Sequence, residues 1–183
     1  MTASRIISRL ACLLALFCFN AAAHADALGD AGRLLQQGQS TEALQKVERF
    51  LAIKPTDAQG RFLKGLILAE LNKLPDAITV FTRLTEDYPE LPEPYNNLAV
   101  IYARQQQYEK ARQSLELAIR ANPAYATAHE NLGDIYARLA SQAYDKALQL
   151  DGTSSSARSK LAMVRELLAI PLRPATVGVK APH

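Results

Sequence analysis

The sequence predicts an all-α fold built from a stack of antiparallel helix pairs. Three observations predict it. First, single columns of residues recur every 34 positions: Pro55, Pro89 and Pro123; Ala43, Ala77 and Ala111; Val47, Phe81 and Leu115; Leu34, Leu68 and Tyr102. Second, each 34-residue copy holds two apolar stripes at helical spacing, joined by a short turn. Third, composition suits a packed chain: 49% of the 183 residues are apolar and 21% charged, a globular rather than a disordered balance.

The first 25 residues read as an export signal. Arg5 and Arg9 supply the positive end, Leu10 to Phe19 the apolar stretch, and Ala23-His24-Ala25 a small-residue cleavage site. Ten apolar residues rise about 15 Å as a helix, half a bilayer core, so the stretch is too short to span. Cleavage after Ala25 is expected, with Ala23 as the second choice. Of the 21 basic residues, Arg5 and Arg9 belong to this leader, leaving 19 against 18 acidic ones and a charge near +1. Cys12 and Cys18 both lie in it too, so residues 26–183 carry no thiol. That excludes disulfides, thiol catalysis and cysteine-ligated metal, and it suits an exported chain in a bacterial periplasm.

The repeats follow. The first copy keeps Leu34, Ala43, Val47, Phe50 and Pro55; the second keeps Gly65, Leu68, Ala77, Phe81, Leu84 and Pro89. The third is the most regular, with Tyr95, Leu98, Ala99, Tyr102, Ala111, Leu115, Ala118 and Pro123. Small residues let paired helices approach, and larger ones fill the space beside them. Each proline lacks an N–H and restricts the residue before it, which ends the second helix of a copy. One helix pair cannot bury its apolar face alone, whereas a stack can.

These columns resemble the tetratricopeptide repeat (TPR) family over residues 26–152. The resemblance implies a right-handed superhelical solenoid with a C-terminal capping helix. The segment from LPEPYNNLAVIYARQQQYEKA through HENLGDIYARLASQAYDKALQLD is similar to the TPR portion of exported proteobacterial cell-envelope proteins.

The fourth copy departs from the pattern. His129, Leu132, Gly133 and Tyr136 place its first helix, but Gly152 follows Pro123 by 29 residues, so five are missing. The gap falls at the hairpin turn, in a stretch without Gly, Pro, Asn or Asp. Leu132, Tyr136, Leu139, Ala143, Ala147 and Leu150 average 3.6 residues per step, one unbroken helical face. A single helix over 125–150, about 37 Å long, is therefore expected; the alternative is a tight hairpin at Ala140-Ser141. Gly152 should end it in a left-handed conformation. Thr153 to Ser156 should cap a further helix within 153–170. Residues 171–183, with three prolines and one glycine, read as a flexible tail.

The residues give no convergent chemistry. His129-Glu130 lacks the second histidine of H-E-x-x-H, because position 133 is glycine. In the repeat register His129 occupies an aromatic packing position. No catalytic residue, metal site or cofactor is expected. Basic residues alternate with acidic ones, which gives no nucleic-acid stripe, and no transmembrane segment remains once the leader is removed.

What remains is a binding surface for a protein or peptide partner. The resemblance implies a concave groove lined by the first helix of each copy. Its positions here are Phe62 and Leu66, then Asn97, Val100 and Arg104, then Asn131, Asp134 and Arg138. Glu93, Asn96 and Glu130 belong to the same lining. Asn97 and Asn131 share one repeat position, where peptide-holding members of the family hydrogen-bond an extended backbone, which suits an amide because it both donates and accepts; the alternative is a purely structural role for asparagine in that column. Arg104 and Arg138 also repeat; a guanidinium can fork a carboxylate, and the alternative is that both are simply solvated. The alternative is a self-assembling module, a homodimer joined through Leu139, Ala143 and Ala147 of the long helix.

Overall fold

The structure, a computed structural model, describes residues 28–169 and 172–175, all helix, turn or irregular. The export leader expected over 1–25 lies outside the described residues. The described chain forms two compact units, 28–73 and 74–175.

In the first unit, α1 (28–36), α2 (Ser40–Ile53) and α3 (Ala58–Glu70) enclose Ala31, Ala43, Val47, Leu63 and Ile67. Pro55 stands two residues beyond α2, as its missing N–H requires. Asp57 then caps α3, its carboxylate accepting from the Gly60 N–H at 2.7 Å. Gly60 permits the close approach of α2: a Cβ there would sit 3.0 Å from Phe50 and Leu51.

The second unit contains α4 (Leu74–Asp87), α5 (Pro92–Arg104), α6 (Tyr108–Ala121), α7 (Ala126–Leu150) and α8 (Ser155–Leu167). Its core joins Ala99, Ala103, Ala111, Leu115, Ala118, Ala128 and Ile135, ringed by Tyr95, Tyr102, Tyr108 and Tyr125. Phe81 and Leu84 of α4 are also fully buried. Pro92 opens α5, where a missing N–H costs nothing.

The turns that follow α1, α3 and α5 share one device. Gly38, Asn72 and Gln106 all have positive φ, at 76°, 56° and 59°, and they are 34 residues apart. In each, the next N–H reaches back to a carbonyl five residues earlier: Gln39 to Leu34, Lys73 to Leu68 and Gln107 to Tyr102. Counting 34 further lands on Ala140, inside α7, which runs 25 residues without a break. The five residues absent from the fourth copy are those that would carry this bend. Glycine adopts the conformation freely and asparagine nearly so, whereas glutamine is strained there. Gln106→Gly is therefore expected to stabilise the protein by about 0.5–1 kcal/mol; an unchanged or lowered melting temperature would contradict the strain.

Beyond α7 the chain turns without a left-handed glycine. Gly152 is not at positive φ; Gly38 alone is among the described glycines. Asp151 makes the turn instead, its Oδ1 accepting from the Thr153 N–H at 2.9 Å and hydroxyl at 2.6 Å. These bonds hold the Asp151 carboxyl below its ordinary range. Ser154 caps α8, which packs on the second half of α7 through Ala157 and Leu161. Arg165 pairs with Asp145 at 2.9 Å across this contact.

For residues 172–175 the expectation of a flexible tail is corrected; the rest of it lies outside the described residues. Residues 172–175 do not hang free: Leu172 packs on the core of this unit and Ala175 is 6% exposed. The physical reason lies with two asparagines.

Candidate functional site

Asn96 on α5 and Asn131 on α7 are both 0% exposed. Helix α7 packs on α6 and touches α5, which brings the two amides together: Asn131 Nδ2 donates to Asn96 Oδ1 at 2.8 Å. A buried amide left with idle donors and acceptors costs free energy. Residue 173 supplies what remains. Its N–H donates to Asn131 Oδ1 at 2.9 Å, and its carbonyl accepts from Asn131 Nδ2 at 2.7 Å and from Asn96 Nδ2 at 3.2 Å. One side chain thus reads the donor and the acceptor of a single backbone residue, as a neighbouring β-strand does.

The surroundings are acidic. Arg173 Nη1 meets Glu130 at 2.9 Å, a pair more than half exposed and therefore weak. Asp134, one turn along α7, has its carboxyl raised by burial, with Arg138 opposing and Glu130 reinforcing. Burial pushes the Tyr125 phenol up to about 12, with the Glu93 charge adding and a hydrogen bond from Thr127 opposing. An acid bound more tightly to its proton when folded loses stability as pH climbs from its ordinary value of about 10 to the folded value. Tyr125→Phe is expected to remove part of the decline between pH 10 and 12, about 1 kcal/mol once the solvent reaching this half-buried phenol is allowed for. Equal slopes for variant and parent in urea unfolding would rule this out.

The residues expected from sequence divide. Asn131, Asp134 and Arg138 stand on the first half of α7, and Asn97, Val100 and Arg104 on α5. Asn131 is the one that reads backbone. Asn97 does not: its Nδ2 donates to the Glu93 carbonyl of its own helix at 2.9 Å. Its neighbour Asn96 makes the contact. Val100 is buried and Arg104 exposed at the end of α5. Arg138 lies over the Tyr108 ring, 6.0 Å from its centre, and its buried Nε has no hydrogen-bond partner among the described residues. Phe62 and Leu66 are half-buried on α3 in the 28–73 unit. His129 is exposed rather than packed, with Nε2 3.0 Å from the Pro123 carbonyl oxygen.

The expected dimer face is not an open apolar stripe. Leu139 packs on the core, Ala147 is half-buried, and Ala143 alone of the three is exposed. Among the described residues no cluster of three His, Cys, Asp or Glu side chains is placed to hold a metal. No helix among them is long and apolar enough to cross a membrane.

Family models of the tetratricopeptide repeat match residues 28–92 and 80–113, and a TPR repeat model matches 101–139. Together they tile the array that the 34-residue columns mark out. The chain belongs to the TPR family. It is 31% identical over 100 residues, 52% of its length, to the tetratricopeptide repeat domain-containing protein PYG7 of Arabidopsis thaliana chloroplasts, covering 33% of that protein. It is 26% identical over 154 residues, 75% of its length, to human tetratricopeptide repeat protein 16, covering 18% of it. The chain thus spans a third or less of the curated relatives it matches. Among solved structures it is similar to the thermophilic TPR protein TTC0263 of Thermus thermophilus, with TM-score 0.60 and 25% identity over 80% of this chain and 83% of that one. TPR folds are scaffolds for protein–protein interaction, and this chain has that fold.

Proposed function

We propose that this TPR chain is an exported, non-catalytic scaffold of a bacterial cell envelope, and that it binds an extended peptide segment of a partner protein. One observation carries the reading: the Asn131 amide, fully buried, pairs with both backbone groups of one residue. Such pairing recognises main chain whatever the side chain, and the side chains around it supply preference. The acidic side chains beside it favour a basic segment. The leader supports periplasmic export, and the lack of cysteine after residue 25 suits an oxidising compartment.

The test is capture of the partner from a periplasmic extract by the parent protein and by two single variants. Asn131→Ala is expected to lose at least tenfold in capture, given roughly 1–3 kcal/mol for a buried polar group left unpaired. Asn97→Ala should capture almost as well as the parent. Equal capture by Asn131→Ala, with helical circular dichroism unchanged, refutes the site. Export is tested separately: the N-terminus of periplasmic material should be Asp26.

A further inference from the structure

We propose that residues 172–175 are a built-in occupant of the Asn96–Asn131 site, and that a partner enters by displacing them with an extended segment of the same chemistry: apolar, basic, proline, small. This rests on the peptide-binding reading above. Each position of the occupant meets a distinct demand. Leu172 packs on the alanine-rich core of the unit. Arg173 spends its N–H and carbonyl on Asn131 and turns its guanidinium to Glu130. Pro174 is exposed and biases the residue before it to extended backbone, the conformation the amide reads. Ala175 is buried, so a larger side chain there must push its neighbours.

The same contacts make the occupant exchangeable. Three hydrogen bonds to side chains, an exposed ion pair and two apolar side chains hold the segment. An incoming segment of like sequence replaces each of them one for one, so exchange leaves no buried amide idle. What the incoming segment must overcome is tethering. A chain segment linked over a few residues acts at an effective concentration on the order of millimolar. Against a site with an affinity of about 0.1 mM, that raises the apparent dissociation constant of a free peptide roughly tenfold.

The experiment measures anisotropy of a fluorescein-labelled peptide repeating residues 170–177, titrated with the full chain. The variant is Arg173→Pro, which removes the N–H that Asn131 accepts and changes no residue of α5 or α7. The control is the same peptide with proline in place of its arginine. The expected result is at least tenfold tighter binding of the peptide by Arg173→Pro than by the parent, and no binding of the control peptide. Equal affinity of parent and variant overturns the built-in occupant while leaving the peptide site standing. Failure of the variant to bind the peptide overturns both. Binding of the control peptide as tightly as the first places the contact elsewhere and overturns the proposal.

Discussion

Phe81→Ala is expected to destabilise the protein by about 3–5 kcal/mol, a large share of the roughly 5–15 kcal/mol that holds a typical domain folded. Phe81 is fully buried on α4 and stands in the column Val47, Phe81, Leu115, each at 0% exposure. Truncation removes the ring and leaves a cavity, because neighbouring helices relax only partly into the space. Leu115→Ala, in the same unit, should cost about 2–5 kcal/mol for the same reason with a smaller side chain. The measurement is urea unfolding followed by circular dichroism. With a slope of about 1–3 kcal/mol/M, Phe81→Ala should move the midpoint down by more than 1 M while the slope stays fixed. A shift worth under about 1 kcal/mol would mean that this column does not carry the packing its period implies.

That column was legible because it repeats. Periodicity reports which faces are buried, and the buried apolar residues of α2, α4 and α6 fall on 34-residue columns one for one: Ala43, Ala77 and Ala111; Val47, Phe81 and Leu115; Phe50, Leu84 and Ala118. The unbroken α7 was also readable, since a missing turn leaves a continuous 3.6-residue stripe. The left-handed residue of each turn was not, because Gly38, Asn72 and Gln106 look unrelated as side chains and share only a backbone angle. The Asp151 turn was hidden for a similar reason: glycine at 152 suggested a backbone solution where a side chain supplies one.

Residues 172–175 were misread on composition. Three prolines in 171–183 break helical periodicity, which is the signature of a loop, but Pro174 also biases the residue before it to extended backbone, which is what a buried amide can grip. Nothing local in LRPA says that two asparagines some 40 and 77 positions earlier have idle groups to satisfy. That fact belongs to the packing of α7 on α5, which a linear reading does not reach.

Asn131→Ala is accordingly expected to cost about 2–4 kcal/mol, well above an ordinary polar-to-alanine change. The variant strands Asn96 Oδ1 without its donor in a fully buried position, and leaves Arg173 with one of its two asparagine partners. Asn96→Ala strands Asn131 less, since Asn131 keeps both bonds to residue 173, so about 1–3 kcal/mol is expected. Replacing both with leucine removes donors and acceptors together, and that double change should cost at least 1 kcal/mol less than the two single leucine changes summed. In every one of these variants the amide protons of residues 173 and 175 should exchange faster with solvent. Costs that add within about 0.5 kcal/mol would mean that the asparagines act independently. Asn97→Ala is the internal standard. Its amide serves a carbonyl of its own helix, so its loss should stay below about 1 kcal/mol. Asn97 and Asn131 occupy one repeat position yet face different partners. The difference is that only Asn131 has another buried amide beside it and an extended backbone within reach; the repeat places the residue, and its neighbours decide what it binds.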